Sequence, residues 1–294
     1  MNMKNLQLIA LVFLMFAACK NGENKSDAYG NFEAVETIVS SEMAGKLLSM
    51  EVKQGDQLAP DQLIARIDTT ELILRKLQTQ AQLAASETKK QSVTAQINVL
   101  KEQKKNAQTT QQRIAKMYAD KAATQQQLDD INGQISVVEK QIFANETQFQ
   151  LINSEMEVIK RQLDLISEQL AKCTITSPVK GTILETYLET GELTSPGKPV
   201  LKMADLSSLE LKVYVSGAQL SKVKLGSDVK ILIDSDVKEM KSLTGKISWI
   251  SSESEFTPKI IQTKEERVKL MYAVKIVVPN DGSLKIGMPG EVVF

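Results

Sequence analysis

The stretch Leu128–Leu170, LDDINGQISVVEKQIFANETQFQLINSEMEVIKRQLDLISEQL, decides the fold. Leu128, Ile131, Ile135, Val138, Ile142, Phe149, Ile152, Met156, Ile159, Leu163, Ile166 and Leu170 recur at alternating spacings of three and four, with Asn145 as the polar member of the series. A period near 3.5 keeps one apolar stripe facing a partner helix along its whole length, which is a coiled-coil seam. A lone Asn in such a seam favours one register at a cost in stability, and Asn145 is read that way.

The partner is the segment that precedes it. From Pro60 to Pro178 there is no intervening proline and one glycine, Gly133, in a stretch rich in Gln, Lys, Glu, Ala and Leu. Those are good helix formers. Val93, Ile97, Leu100, Ala107 and Ile114 fit a seam interrupted by Lys104 and Gln111, and farther back Leu74, Leu77, Ala81 and Ala84 imply a shift of register. Residues 119 to 123 (Ala-Asp-Lys-Ala-Ala) serve as the connection of an αα-hairpin. Each arm then has about 48 residues and a length of ~70 Å. A rod of that length cannot be buried in a small domain and must project.

Two segments flanking the rod repeat each other. Gly45, Gly55, Asp56, Pro60 and Ile64 correspond to Gly181, Gly191, Glu192, Pro196 and Val200 at a constant offset of 136. Each half reads as short strands joined by Gly and Pro turns. Beyond Ser207 the pattern alternates, in Leu209–Val215, Val229–Ile233, Gly245–Ile250, Tyr272–Val278 and Met288–Phe294, with a short helical turn near 218–223. This suits a small antiparallel barrel.

Composition removes whole classes of function. Lys plus Arg and Asp plus Glu number 36 each, and there is no His. A balanced charge argues against nucleic acid, whose phosphates require a basic surplus. Without imidazole most general-base and transition-metal readings fall, so neither catalytic nor metal-ligating residues are assigned. No phosphate-binding loop of the G-x-x-x-x-G-K-[ST] kind occurs, so any ATP hydrolysis belongs to a partner. The two cysteines, Cys19 and Cys173, are too few for a disulfide framework. Cys173 sits among alternating apolar neighbours and reads as a buried strand residue.

Residues 1–18 read as a signal peptide. Lys4 gives the positive start, and Leu6–Ala18 is apolar apart from Gln7. About 13 helical residues reach ~20 Å, short of the ~30 Å hydrocarbon core. Phe16-Ala17-Ala18-Cys19 resembles a bacterial lipobox, in which Cys19 becomes the acylated N-terminus; the alternative is an ordinary signal peptide that contains a Cys. Lys20–Asn31, polar and rich in Gly, Ser and Asn, reads as a tether that holds a domain clear of a membrane.

Three features then carry a family resemblance. The flanking halves with a hairpin between them are similar to the split lipoyl-like domain of HlyD-type membrane fusion proteins, the periplasmic adaptors. At the centre of the hairpin Arg113, Met117, Thr124, Leu128 and Asp129 match R-x3-[LM]-x6-[ST]-x3-[LY]-D, the pattern of an adaptor tip that meets a TolC-type outer-membrane channel. In the barrel, Glu255, Phe256, Thr257, Pro258, Lys259, Gln262, Lys264, Glu265 and Arg267 resemble a subgroup that works with ABC-type exporters, and that loop is expected to touch the permease or a neighbouring subunit. Thr124-x-x-Gln127 also reads as a capping box.

The resemblance implies an elongated α+β protein: lipid-anchored tether 19–32, lipoyl-like half 1 at 33–68, hairpin 69–171, lipoyl-like half 2 at 172–206 and barrel 207–294, with no membrane-proximal domain. It implies a non-enzymatic adaptor in the periplasm of a Gram-negative bacterium, held at the inner membrane by the lipid on Cys19. Its partners would be an inner-membrane ABC-type permease, a TolC-type channel and five further copies in a hexameric ring. No lipoyl or biotin group is expected, because the tight turn that carries the modified Lys in true carriers is replaced by the helices. An adaptor of a resistance-nodulation-division (RND) pump and a structural envelope lipoprotein are the alternatives.

Overall fold

The structure, a computed structural model, describes residues 26–236, 239–255 and 271–294. Cys19 and the signal peptide lie outside the described residues, as do positions 256–270. In chain order the elements are β1 (Ala28–Glu33), β2 (Glu36–Ser40), β3 (Gly45–Met50), β4 (Gln57–Leu58), β5 (Leu63–Ile67), α1 (Thr70–Ala119), α2 (Gln125–Lys172), β6 (Thr174–Thr176), β7 (Gly181–Thr186), β8 (Leu193–Thr194), β9 (Pro199–Ala204), β10 (Ser208–Ser216), β11 (Asp228–Asp236), β12 (Glu239–Ile250), β13 (Met271–Pro279) and β14 (Pro289–Val293). They divide between a hairpin-bearing unit (Ile38–Val179 and Glu185–Leu201) and a barrel unit (the chain up to Thr37, Lys180–Leu184 and Lys202–Phe294).

In the hairpin, α2 buries Ile131, Ile135, Ile142, Ile152, Met156 and Ile166, with Leu128, Val138, Phe149, Ile159, Leu163 and Leu170 half-buried between them. The facing stripe of α1 is continuous: Leu72, Lys76, Thr79, Leu83, Ser86, Lys90, Val93, Ile97, Leu100, Lys104, Ala107, Gln111 and Ile114 are all buried or half-buried. This corrects the expected register shift. Leu74, Leu77, Ala81 and Ala84 are exposed, and the seam runs instead through Thr79 and Ser86. The Thr79 hydroxyl donates to the Arg75 carbonyl at 2.9 Å, so a polar residue enters the seam without an unpaired group. Asn145 behaves similarly. Its amide donates to the Gln141 carbonyl of its own helix at 2.9 Å. Cross-helix polar contacts therefore come from elsewhere, from Lys104–Glu139 at 2.9 Å, Lys101–Glu146 at 3.7 Å and Gln111–Asn132 at 2.7 Å.

Strands from both flanks of the hairpin interleave. One sheet runs β6-β5-β3-β8 and another β2-β9-β7-β4. The 136-residue offset maps β3, β4 and β5 onto β7, β8 and β9, so the repeat converts the first order into the second with the halves exchanged. The turns repeat too. Gly55 and Gly191 have φ of 94° and 96°, and the carboxylates after them, Asp56 and Glu192, accept the backbone N–H groups of Lys53 and Glu189 at 2.8 and 3.3 Å. Cys173 is buried as expected but caps the end of α2, one residue before β6, its thiol on the Gln169 carbonyl. Burial, with the Asp68 charge adding, pushes that thiol up from its ordinary value.

The barrel closes as β1-β10-β13-β12-β11-β14. Its core alternates inward along β10 through Leu209, Leu211, Val213 and Val215, packed with Phe32, Ile231, Ile247, Ile276 and Val292. One strand was misread from sequence. Residues 28–32, assigned to the tether, and Glu33, assigned to the first lipoyl-like half, form β1, which pairs with both β10 and β14 and seals the barrel. Gly30 and Asn31 look like linker residues but stand where two strands approach closely, and Phe32 is fully buried.

Candidate functional site

The hairpin turn is set by hydrogen bonding on both sides. At the end of α1, Lys121 takes a left-handed φ of 62°. Its N–H donates to the Tyr118 carbonyl at 3.0 Å and that of Ala122 to the Met117 carbonyl at 2.7 Å. These two bonds form a Schellman end, which satisfies carbonyls the helix cannot. At the start of α2, Thr124 accepts the Gln127 N–H at 3.3 Å while its own N–H donates to Gln127 Oε1 at 2.9 Å, a complete capping box.

This geometry sorts the five tip residues. Thr124 is engaged as the cap. Leu128 is half-buried in the seam, and Asp129 accepts a hydrogen bond from the Gln125 amide at 2.8 Å. Arg113 and Met117 are left on the outside: among the described residues Arg113 makes a 3.5 Å contact to the Thr110 hydroxyl and no ion pair, and Met117 is 43% exposed. The match R-x3-[LM]-x6-[ST]-x3-[LY]-D thus combines residues that build the turn with two whose side chains are left exposed. Guanidinium offers several donors in a fixed fork and Met an adaptable apolar contact. Sequence reasoning passed over Tyr118, which is 42% exposed beside Met117. The signal was present, since Tyr118 continues the α1 seam four residues past Ile114.

A second feature of the hairpin lies off the seam. Val137, Ala144, Leu151, Val158 and Leu165 recur every seven residues on α2, and all are exposed. In the barrel, the one described residue of the expected contact loop is Glu255. Its N–H donates to the Met271 carbonyl at 2.8 Å and its carboxylate lies 3.6 Å from Lys212 Nζ. The pKa of Lys212 is raised above its ordinary value, first by a hydrogen bond with Tyr214 and then by the charges of Glu255 and Glu33, against burial. Phe256, Thr257, Pro258, Lys259, Gln262, Lys264, Glu265 and Arg267 lie outside the described residues. Among the described residues no group of His, Cys, Asp and Glu could hold a metal ion, and no helix is long and apolar enough to cross a membrane.

Known proteins share this architecture. No family model matches the chain. A UPF0194 membrane protein of Yersinia enterocolitica is 25% identical over 334 aligned positions, which span 100% of this chain and 99% of that one. The crystal structure of MacA from Actinobacillus actinomycetemcomitans superposes with a TM-score of 0.60 at 26% identity, over 90% of this chain and 76% of that one. These likenesses are those expected of an HlyD-type membrane fusion protein, which the chain resembles. A MacA–MexA chimera carrying the MexA α-hairpin from Pseudomonas aeruginosa gives a TM-score of 0.53 at 26% identity, over 90% of this chain and 76% of that one.

Proposed function

We propose that this chain is the periplasmic adaptor of a tripartite export system, linking an inner-membrane ABC-type exporter to a TolC-type outer-membrane channel. The hairpin tip carries this reading. Arg113 and Met117 remain outward while Thr124, Leu128 and Asp129 are used up in shaping the turn. The interleaved sheets support a lipoyl-like domain, and the helices that occupy the place of its modified turn support the absence of lipoyl or biotin. The heptad of exposed apolar residues on α2 supports lateral association of hairpins in a ring, six copies being the expected number. An acyl anchor on Cys19 would hold the protein at the inner membrane, and the loop beginning at Glu255 would touch the permease or a neighbouring copy.

The test is a pull-down of the tagged protein from chemically cross-linked cells, read by mass spectrometry, beside export by the Arg113→Asp variant. Recovery of an ABC permease and an outer-membrane channel, with export abolished in the variant, is the expected result. An RND permease would reassign the partner. Unimpaired export by Arg113→Asp would remove the tip-docking role. Self-cross-linking with neither permease nor channel would favour a structural envelope lipoprotein.

A further inference from the structure

The corrected start of the barrel changes where a membrane would stand. The segment read as a tether shortens, because Asp27 is already fixed in the barrel unit. Its N–H donates to the Val292 carbonyl at 2.8 Å, its carboxylate accepts the Phe294 N–H at 3.0 Å, and its carbonyl accepts the Gln219 side-chain amide at 2.6 Å. Ser26 bonds to Glu291. From Cys19 to Ser26 is seven residue steps, which reach at most about 25 Å when fully extended. As a flexible chain they would span roughly 15 Å. The rim at which Ser26 enters would therefore lie against the headgroups of any bilayer that holds a lipid on Cys19.

The same rim carries an unusual turn. Ala28 pairs with Val292 and Val292 with Ile231, so the residues preceding β11 stand at the end where the chain enters. The 3-10 helix Leu220–Lys222 and the turn 223–227 occupy this end, and Gln219, just before them, is the residue bonded to Asp27. Val223 is buried and roots the turn. Gly226, with a φ of 81°, donates to the Ile247 carbonyl at 2.8 Å, and Ile247 donates back to Ser227 at 3.0 Å. The Ser227 hydroxyl closes the turn on the Lys224 carbonyl at 2.7 Å. Leu225 is thus held at the apex, 68% exposed.

Lysines lie close to it in the chain. Lys222, Lys224 and Lys230 are exposed, whereas the ion pairs of the barrel unit use Lys202, Lys212, Lys241 and Lys275. Within the stretch 222–230 Asp228 is the one acid, so the turn itself carries three positive charges against one negative, and the acids Asp27 and Glu291 at the same rim are engaged by the Phe294 N–H and by Ser26. A single exposed leucine is ordinary. A leucine fixed on a pinned turn, flanked by lysines that make no ion pair among the described residues and placed where a short tether enters, fits an anionic lipid surface, with the apolar tip among the acyl chains and the ammonium groups at the phosphates.

We infer that the Lys222–Leu225 turn is a second membrane contact, which docks the barrel rim on an anionic bilayer and fixes its orientation. The inference rests on the anchor at Cys19 proposed above. Two weak attachments at one rim hold a domain far better than one, and a lone acyl tether would leave the barrel free to turn.

The test uses the full lipidated chain in vesicles of phosphatidylglycerol and phosphatidylethanolamine, with Leu225→Trp introduced in a Trp249→Phe background so that one indole reports the apex. Brominated acyl chains should quench that indole, and at least about twofold less when phosphatidylcholine replaces phosphatidylglycerol or when Lys222→Glu and Lys224→Glu are added. Flotation is scored on the same samples. Protein that floats with the vesicles but is not quenched overturns the docking and leaves the anchor standing. Quenching indifferent to lipid charge and to both lysines also overturns it. Protein that fails to float removes the Cys19 anchor, and the docking with it.

Discussion

Gly30 stands opposite Gly290 in the antiparallel pairing of β1 and β14, and a Cβ on Gly30 would come within 1.8 Å of the Lys212 carbonyl oxygen on β10. The obstacle is backbone, which cannot swing aside as a side chain could. Gly290 is hemmed in too, its Cβ position 3.0 Å from side-chain carbons of Leu211 and Phe32. Gly30→Ala must therefore part β1 from β10 and open the barrel. A loss of about 3 kcal/mol or more is expected from such a displacement. Urea unfolding of the mature protein checks it, and a loss below about 1 kcal/mol would mean that β1 does not seal the barrel.

The tip offers a prediction of opposite sign. Lys121 holds a left-handed conformation that costs a non-glycine residue about 1–2 kcal/mol. Lys121→Gly removes that strain while loosening the unfolded chain by about 0.5–1 kcal/mol. A net gain of up to about 1 kcal/mol is expected, and Lys121→Val should lose at least as much. Thermal unfolding followed by helical circular dichroism would show both.

Stability and export should separate within the tip. Thr124→Ala removes the acceptor for the Gln127 N–H and should cost about 1 kcal/mol, with Thr124→Ser restoring most of it. Arg113 lacks an ion pair among the described residues, so Arg113→Asp should change stability by less than about 0.5 kcal/mol. If Arg113→Asp instead unfolded the hairpin, its loss of export would say nothing about docking.

Acid should act on the turn between β13 and β14. The carboxyl of Asp281 is held well below the usual range, first by the side chain and backbone N–H of Ser283 and then by Lys241 at 3.2 Å. A depressed folded pKa stabilises above the unfolded value near 3.9 and is lost as pH falls toward the folded one. The group is exposed, so the effect is small. Asp281→Asn should melt lower than the parent at neutral pH, and the gap should close progressively below about pH 4. A gap that stayed constant down to pH 2 would assign the loss to turn geometry rather than charge.

These sites also mark what could be read from sequence. The seam of α2 was legible because nearly every position is apolar, and the repeated turns because their glycines need a positive φ and their acids cap the same backbone group. The base of α1 was not. Apolarity pointed to Leu74 and Leu77, but the stripe that faces α2 passes through Thr79 and Ser86, and following a strict 3-4 step back from Ile97 would have found it. β1 was missed because a strand six residues long with Gly and Asn inside it lacks a local signature. Its identity comes from pairing with strands roughly 180 and 260 residues away. At the tip the sequence pattern named the residues but not their division between turn-building and presentation.

That division leaves the outer stripe of α2 as the last relationship to be tested. A helix that uses Ile152 and Met156 for its seam has no intramolecular reason to repeat Leu151, Val158 and Leu165 at sevens, and Val158 is 71% exposed. Within a hairpin these side chains meet water, whereas against a neighbouring helix they would bury a strip of about 28 residues, or ~42 Å. Leu151→Asp with Val158→Asp should therefore leave the helical content and unfolding midpoint of the protein unchanged while abolishing its self-association in sedimentation velocity. Ile152→Ala should do the reverse, costing about 2–4 kcal/mol of hairpin stability through the seam cavity. If the double aspartate variant unfolds as readily as Ile152→Ala, the stripe serves the hairpin itself. If it still assembles, the copies meet through another face.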